Sequence, residues 1–286
     1  MQFNTAYIIS YLPDDSLRDK RLEIQNKQLD YWLDKGLDVV VYGQNYKGNE
    51  IREGVDYIIN NGTPDRPGPA RNVLLSVFYQ TQDDFCLVMD NDITLYEGQK
   101  YCDSDDLVSI LKETPIENFQ GVDAFEPLNP TQTPFSAFFA DNRRELSENL
   151  YFKRRPNISG QSLFMRNTKK FYDKEYYYDD WYDEKTGKII MGEDVDFGIQ
   201  LTKDGRGVYS LMNAVRKDMG WTVSSWCKNP EARKQSFETL KKILPTLGIE
   251  SKNGRQDWAG FANKYNIPRK ILASKKKVVN PLEFML

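Results

Sequence analysis

The sequence predicts an α/β fold with a Rossmann-type, mostly parallel central sheet flanked by helices. Apolar runs of strand length alternate along the chain with longer segments whose apolar residues recur at helical spacing, which is typical of a doubly wound sheet. One of the runs, residues 85–89, is apolar throughout. Such a run cannot be half-exposed, so it predicts a strand buried on both faces, as strands of parallel sheets are.

The individual elements follow from these patterns in chain order. Residues 6–12 predict a first strand, and the helix after it carries apolar residues from Leu17 to Leu33 and ends at Gly36. Further strands are predicted at residues 39–42, 55–59, 85–89, 160–166 and 207–211, and further helices begin near Pro69 and Glu193.

Composition predicts an ordinary globular protein. The chain has 286 residues, 40% of them apolar, which is enough for one large domain or one domain with an appendage. No apolar stretch approaches the roughly 20 residues of a membrane span, and residues 1–5 lack the pattern of a signal peptide. We therefore expect a cytoplasmic protein that makes no membrane contact.

Two residue types limit the chemistry. The chain has no histidine, which excludes Ser-His-Asp and Cys-His hydrolysis and His-ligated zinc, and leaves acid-base work to carboxylates, Lys, Tyr or Cys. Cys86, Cys102 and Cys227 are odd in number and widely spaced, so they predict neither a disulfide framework nor a zinc cluster. Cys86 is expected in the core.

The charge is distributed unevenly. Residues 228–286 carry 13 Lys and Arg against 5 Asp and Glu, whereas residues 1–227 carry 26 against 37. Trp258, Phe261 and Tyr265 lie among the basic residues. This mixture is suited to phosphates and bases of nucleic acid, and the alternative is a solvated helical face.

The most informative motif is Asp90-Asn91-Asp92, which ends the buried strand. Ligands of open α/β sheets bind at the carboxyl ends of strands, and carboxylate oxygens there suit Mg²⁺ or Mn²⁺ bound to a diphosphate. A solvated turn is the alternative for this motif taken alone.

Two further segments place charged residues at helix starts. Residues 61–72 form a loop rich in Gly and Pro that leads into a helix with Arg66 and Arg71 close to its start, a suitable site for a negative ligand. Residues 192–196 place Glu193, Asp194 and Asp196 at the start of another helix. Acids in such positions also serve as helix-dipole partners, and Asp196 is expected to pack or cap.

Taken together, the Gly-x-x-Ala-Arg-Asn helix start, the Asp90 motif and the Gly-Glu-Asp segment resemble GT-A glycosyltransferases, particularly those akin to family two. The resemblance implies that Tyr7, Ile8 and Ser10 line a nucleobase pocket and that Arg66, Arg71, Asp90 and Asn91 bind the nucleotide-sugar. It implies metal binding by Asp92 and Asp90, with Asp218 standing where many members have His; pairing of Asp218 with Arg216 or Lys217 is the alternative. Asp194 becomes the candidate base of an inverting transfer, and Glu193 its acceptor-binding neighbour.

The chain as a whole is similar to the bacteriophage glycosyltransferases that modify hydroxymethylcytosine DNA, of the T-even β-glucosyl-HMC-α-glucosyltransferase type. This likeness implies a UDP-sugar donor such as UDP-glucose or UDP-arabinose, and modified double-stranded DNA as acceptor, held by the basic C-terminal segment. It divides the chain into a catalytic domain at residues 1–227, with a nucleotide-sugar half at 1–96 and an acceptor half at 97–227, and a basic helical segment at 228–286. Residues 257–272 are expected either as a helix, a turn and a second helix start on phosphates, or as a clamp on the sheet.

Two alternatives stay open at this stage. A glycosyltransferase of surface polysaccharide or glycoprotein synthesis would use the same catalytic residues with a glycan acceptor. A non-catalytic module that binds nucleotide-sugar or nucleic acid would not depend on Asp92 and Asp194 for its activity. Residues 127–155 and the aromatic stretch 171–182 are where acceptor loops are expected.

Overall fold

The computed structural model describes residues 2–91, 93–95, 119–122, 126–127, 150–154, 162–182, 189–190, 192–212, 215–218 and 230–274. Several sequence predictions fall outside this part of the chain, namely those for Asp92, Cys102, Cys227, Lys275 to Lys277 and most of the expected acceptor loop at residues 127–155.

The amino-terminal half alternates strands and helices as the sequence predicts. Strand β1 and helix α1 are followed by β2 and β3, and then by helix α2 and strand β4. Their bounds are β1 Thr5–Tyr11, α1 Arg18–Asp34, β2 Asp38–Gln44, β3 Asp56–Asn60, α2 Pro67–Phe78 and β4 Phe85–Asp90.

The following elements include short strands that the sequence patterns do not predict. Their bounds are β5 Ile93–Leu95, β6 Phe119–Val122, β7 Glu126–Pro127, β8 Leu150–Arg154, β9 Ser162–Arg166, α3 Thr168–Tyr172, β10 Trp181–Tyr182, β11 Ile189–Ile190, α4 Glu193–Lys203, β12 Gly207–Met212 and β13 Val215–Asp218.

The C-terminal part adds further helices and strands. Its elements are α5 Pro230–Ile243, a 3-10 turn at Leu244–Leu247, β14 Ser251–Lys252, β15 Arg255–Gln256, α6 Trp258–Lys264 and β16 Lys270–Ser274. Among the described residues, no helix combines the length and the apolar character that a membrane crossing needs.

The described residues form a main sheet of nine strands in the order β16-β8-β12-β6-β9-β4-β1-β2-β3. Strands β3, β2, β1 and β4 are mutually parallel, β6 and β12 are parallel to each other, and β8 and β9 run antiparallel to their neighbours. Seven of the nine strands therefore point the same way. This confirms the predicted α/β fold with a mostly parallel sheet and flanking helices.

The sheet separates two apolar cores. Alternate residues of β1 point to opposite faces, so Ala6 and Ile8 join one core with α1, while Tyr7 and Ile9 join the other with α2. Strand β4 divides in the same way, and Cys86 is buried in the second core, as expected. Both strands are thus buried on both faces, which explains their continuous apolar sequences.

The C-terminal segment packs on the sheet. Helix α6 contributes Ala262 to the core on the α1 side and Phe261 to a third core, where it meets Val195 and Ile199 of α4. Residues 270–274, where the sequence suggested a second helix start, form strand β16, which pairs antiparallel with β8. Of the two arrangements expected for residues 257–272, the one in which the segment clamps onto the sheet is correct. Backbone hydrogen bonds to β8 hold this part of the chain extended.

Candidate active site

Three of the predicted donor and acceptor residues, Arg71, Asp90 and Glu193, meet at the carboxyl edge of β4. Asp90 is the last residue of β4, Arg71 lies in α2, and Glu193 is the first residue of α4. Arg71 Nη2 donates to Asp90 Oδ1 at 2.7 Å, and Arg71 Nη1 lies 3.6 Å from Glu193 Oε1. One guanidinium therefore joins two motifs that are about 100 residues apart in sequence.

Arg71 is buried, with only 4% of its side chain exposed. Burial alone lowers the pKa of a guanidinium, but Asp90, Tyr178 and Glu193 act in the opposite direction and raise the pKa of Arg71 above its usual value. The site therefore contains a permanent, buried positive charge between two carboxylates.

The middle residue of the strand-end motif faces the protein interior. Asn91 Nδ2 donates to Ser10 Oγ at 3.0 Å and to Gln25 Oε1 at 3.2 Å, and Tyr46 donates to the same two oxygens. The Ser10 hydroxyl also donates to Gln25. Asn91 and Ser10 are both buried in this network, which ties the ends of β1 and β4 to α1.

The three residues predicted to line a nucleobase pocket are thus all buried. Tyr7 and Ile8 lie in the apolar cores, and Ser10 belongs to the polar network. Burial raises the pKa of the Tyr7 phenol above its usual value. These positions favour a structural contribution of all three, and contact with a nucleobase stays a prediction.

Residues 176–180 form a loop that lies across the starts of α2 and α4. Asn72 Nδ2 donates to the Tyr178 carbonyl at 2.8 Å, and Tyr178 N donates back to Asn72 Oδ1 at 2.7 Å. Arg66, whose side chain is 49% exposed, pairs with Asp180 at 3.8 Å. Burial raises the pKa of the Asp180 carboxyl, and the nearby Glu193 raises it further.

Tyr178 is a site residue that sequence reasoning did not single out. Its ring stacks on Phe197 of α4, with centroids 4.3 Å apart and planes 12° from parallel, and the Arg71 guanidinium lies 5.5 Å from the ring centroid. The stretch was recognised as aromatic and acidic, but no sequence signal separates Tyr178 from Tyr176 and Tyr177.

The start of α4 holds three carboxylates in different environments. Glu193 Oε2 accepts from Gly192 N at 3.2 Å, and Asp194 Oδ1 accepts from Val195 N at 2.8 Å. Asp196 accepts from Trp181 Nε1 at 3.0 Å and from Gln200, and burial raises its pKa. Asp196 therefore packs, as expected. Glu193, by contrast, lies beside the Arg71 guanidinium, and Asp194 is the next residue of the helix.

The cation site predicted from the sequence involves residues that the structure describes only partly. Strand β13 pairs with β5 so that Asp218 lies opposite Ile93, the neighbour of Asp92 in the chain. This register brings the backbone of Asp218 to the Asp90-Asn91-Asp92 motif. Within the described residues, no three His, Cys, Asp or Glu side chains are grouped as metal ligands. A donor set consisting of carboxylate oxygens nevertheless fits the ligand preference of Mg²⁺ or Mn²⁺.

The basic C-terminal segment separates its charged and aromatic side chains. Its exposed cationic residues are Lys234, Lys241, Lys242, Lys252, Lys264 and Arg269. By contrast, Phe261 is buried, and Trp258 and Tyr265 pack partly buried against the third core. The described aromatic residues therefore stabilise the segment, and its cations form the surface.

No protein-family model matches the chain, and no curated protein matches it. Solved structures similar to it include a mycobacterial protein, 14% identical, with 88% of this chain and 76% of that chain covered and a TM-score of 0.47. A putative nucleotide-diphospho-sugar transferase from Desulfovibrio desulfuricans is 10% identical, with 87% and 98% covered and a TM-score of 0.40. A Drosophila β-1,4-galactosyltransferase 7 in complex with manganese, UDP-Gal and xylobiose is 12% identical, with 77% and 74% covered and a TM-score of 0.37. Likenesses of this size leave the family of the chain open.

Proposed function

We propose that this protein is a glycosyltransferase that moves a sugar from a UDP-sugar to a hydroxyl group of its acceptor. The observation that carries the proposal is the Arg71 bridge. It gathers Asp90, at the end of a buried parallel strand, and Glu193, beside Asp194 at a helix start, into one site. A strand-end carboxylate suits the donor diphosphate with its cation, and a second carboxylate pair suits the acceptor.

On the donor side, the diphosphate has two sources of positive charge. Arg66 is half-exposed and, within the described part of the chain, pairs with Asp180 at 3.8 Å, so its guanidinium can reach a ligand at the start of α2. Mn²⁺ or Mg²⁺ would be held by Asp92 and Asp90, with Asp218 as a third ligand. When bound, such an ion neutralises the negative charge of the leaving diphosphate.

On the acceptor side, Asp194 acts as the base. Its carboxylate removes the proton of the attacking hydroxyl as the new bond to the anomeric carbon forms and the bond to the diphosphate breaks. A single base on the acceptor side supports direct displacement with inversion. Glu193, kept near Arg71, orients the acceptor beside Asp194.

We propose modified DNA as the acceptor, with hydroxymethylated or glucosylated cytosine as the reacting base and UDP-glucose or UDP-arabinose as donor. The exposed cations of the C-terminal segment support this proposal, because they supply phosphate contacts without sequence preference. Lys275 to Lys277 extend the same charge in sequence.

The test is a transfer assay with Mn²⁺ and a panel of UDP-sugars against unmodified, hydroxymethylated and glucosylated DNA, read by nucleoside mass. Asp194→Asn is expected to lower turnover at least about a hundredfold, the contribution of a positioned base. Asp196→Asn is the matched control, since Asp196 packs against Trp181 and should leave turnover within a few-fold. Transfer to glycans alone would refute the DNA acceptor, and equal activity of both variants would refute the assigned base.

A further inference from the structure

Arg71 contacts two carboxylates, Asp90 and Glu193, at different distances. Its contact with Asp90 is a hydrogen bond of 2.7 Å, whereas its contact with Glu193 is an ion pair of 3.6 Å that is too long for a hydrogen bond. Within the described part of the chain, Nη1 and Nε of Arg71 have no hydrogen-bond acceptor. A guanidinium has five N–H donors, so this buried group has unused bonding capacity on the side of Glu193.

The surroundings of Arg71 leave the guanidinium little room except between these two partners. Tyr178 covers one side and is itself stacked on Phe197 of α4. Gly68 lies in α2, one turn before Arg71. A Cβ at Gly68 would lie 3.1 Å from Glu193 Cγ, which shows how closely the starts of α2 and α4 approach. A shift of a few tenths of an ångström in the guanidinium therefore strengthens one contact and weakens the other.

This geometry makes one charge serve two sites. If Asp90 is engaged by a cation, the guanidinium loses part of its attraction there and turns to Glu193. Linkage makes the effect reciprocal: if donor binding at Asp90 changes the affinity for an acceptor at Glu193, acceptor binding changes the affinity for the donor by the same factor.

We propose that Arg71 is a positioning residue that couples donor binding at Asp90 to the orientation of Glu193 on the acceptor side. The coupling rests on the proposed function, since it assumes a cation and nucleotide at Asp90 and an acceptor at Glu193. Donor binding then tightens the Arg71 contact with Glu193 and prepares the acceptor side before the acceptor arrives.

The shared charge is tested first without any ligand, by urea unfolding of Asp90→Asn, Glu193→Gln and the double variant. Each single change leaves Arg71 with one carboxylate, but the double change leaves a buried guanidinium with neither. The loss of stability in the double variant should therefore exceed the sum of the single losses. Additive losses would overturn the proposal.

A second series repeats the single and double changes in an Arg71→Met background. With the guanidinium removed, neutralising a carboxylate no longer strands a positive charge, so the excess loss should vanish. An excess of the same size in this background would also overturn the proposal. Arg71→Gln, which also removes the positive charge, replaces Arg71→Met if the Met variant does not fold.

Coupling to ligand is measured by calorimetry with Mn²⁺ and UDP. Glu193→Gln leaves Arg71 committed to Asp90, so the affinity for Mn²⁺ and UDP should fall by about fivefold or more, the usual size of site coupling. The effect should disappear in the Arg71→Met background, because a direct effect of the Glu193 charge would persist there. Asp180→Asn is the matched control, since Asp180 pairs with Arg66, and its effect should not depend on Arg71.

The two proposals fail in different ways. A wild-type protein that binds neither Mn²⁺ nor UDP would refute the proposed function, while the urea measurements would still decide whether Arg71 carries a shared charge. If the wild-type protein binds Mn²⁺ and UDP and Glu193→Gln leaves that affinity unchanged, only the coupling is refuted.

Discussion

At the scale of single residues, two buried tyrosines differ in the hydrogen bonding of their hydroxyl groups. Tyr79 Oη donates to the Tyr176 carbonyl and accepts from Tyr176 N, both at 3.0 Å. Within the described residues, the Tyr178 hydroxyl has no hydrogen-bond partner, although its ring is stacked on Phe197. The first hydroxyl stabilises a loop end, and the second adds polarity to a buried site.

We therefore expect opposite results from the same chemical change. Tyr79→Phe leaves the backbone groups of Tyr176 unpaired and should cost about 1–3 kcal/mol of unfolding free energy. Tyr178→Phe keeps the stack and removes an unsatisfied hydroxyl, so its unfolding free energy should stay within about 0.5 kcal/mol of wild type or rise. Urea unfolding measures both, and a larger loss for Tyr178→Phe would show that its hydroxyl is bonded in solution.

The placement of some candidate site residues was predictable from sequence because local motifs carry them. Asp90 follows a buried strand, and Glu193 and Asp194 start a helix, so their placement needs only the order of elements. Asn91 and Tyr178 were not predictable in this way. The Asn91 side chain faces the interior because it bonds to Ser10 and Gln25, which are distant in sequence. Tyr178 lies at the candidate site because its ring stacks on Phe197 and lies beside the Arg71 guanidinium.

At the scale of elements, the site depends on the close approach of two helix starts. Gly68 lies in the first turn of α2, and a Cβ there would meet Glu193 Cγ at 3.1 Å and Tyr178 Cβ at 3.4 Å. Both contacts are tight, and both lie on the side that faces α4 and the loop over it. A glycine at this position lets α2 bring Arg71 up to Glu193.

Gly68→Ala should accordingly separate stability from activity. Alanine favours the helix by up to about 1 kcal/mol over glycine, which offsets part of the crowding, so the unfolding free energy should change little. If the protein is the glycosyltransferase proposed above, the displaced Glu193 should lower turnover by about tenfold to a hundredfold, as small misplacements in active sites do. Ser76→Ala in the same helix is the control, because among the contacts described the Ser76 hydroxyl bonds to the Val73 carbonyl of α2 alone. Wild-type turnover in Gly68→Ala would contradict this role of the glycine.

The element pattern was predictable where burial is continuous and failed where pairing is distant. The apolar runs of β1 and β4 identify strands because both of their faces lie in a core. Strand β16 follows a helix and a proline in a basic segment, and its extended form depends on β8, more than 100 residues earlier. Local patterns contain no information about that partner.

At the scale of the whole molecule, the basic C-terminal segment is part of the folded body. Ala262 and Ile267 complete the core on the α1 side of the sheet, and Leu244, Ile249 and Phe261 cover Val195 and Ile199 of α4. Helix α5 also approaches the start of α4, since a Cβ at Gly192 would lie 3.0 Å from Leu240 Cδ2. The segment therefore supports the helix that carries Glu193 and Asp194.

This arrangement predicts that residues 228–274 are needed for folding. A fragment of residues 1–227 exposes apolar residues of two cores and one edge of β8, so we expect it to aggregate or to unfold without a cooperative transition. A fragment of residues 1–274 keeps these core residues and β16, so it should unfold cooperatively. If DNA is the acceptor, that fragment should bind duplex DNA more weakly and with a smaller salt dependence, because it lacks Lys275 to Lys277. Calorimetric unfolding and DNA titration at several salt concentrations measure these effects separately.

Cooperative folding of residues 1–227 would instead make the basic segment an independent appendage, and the support of α4 would then come from the sheet alone.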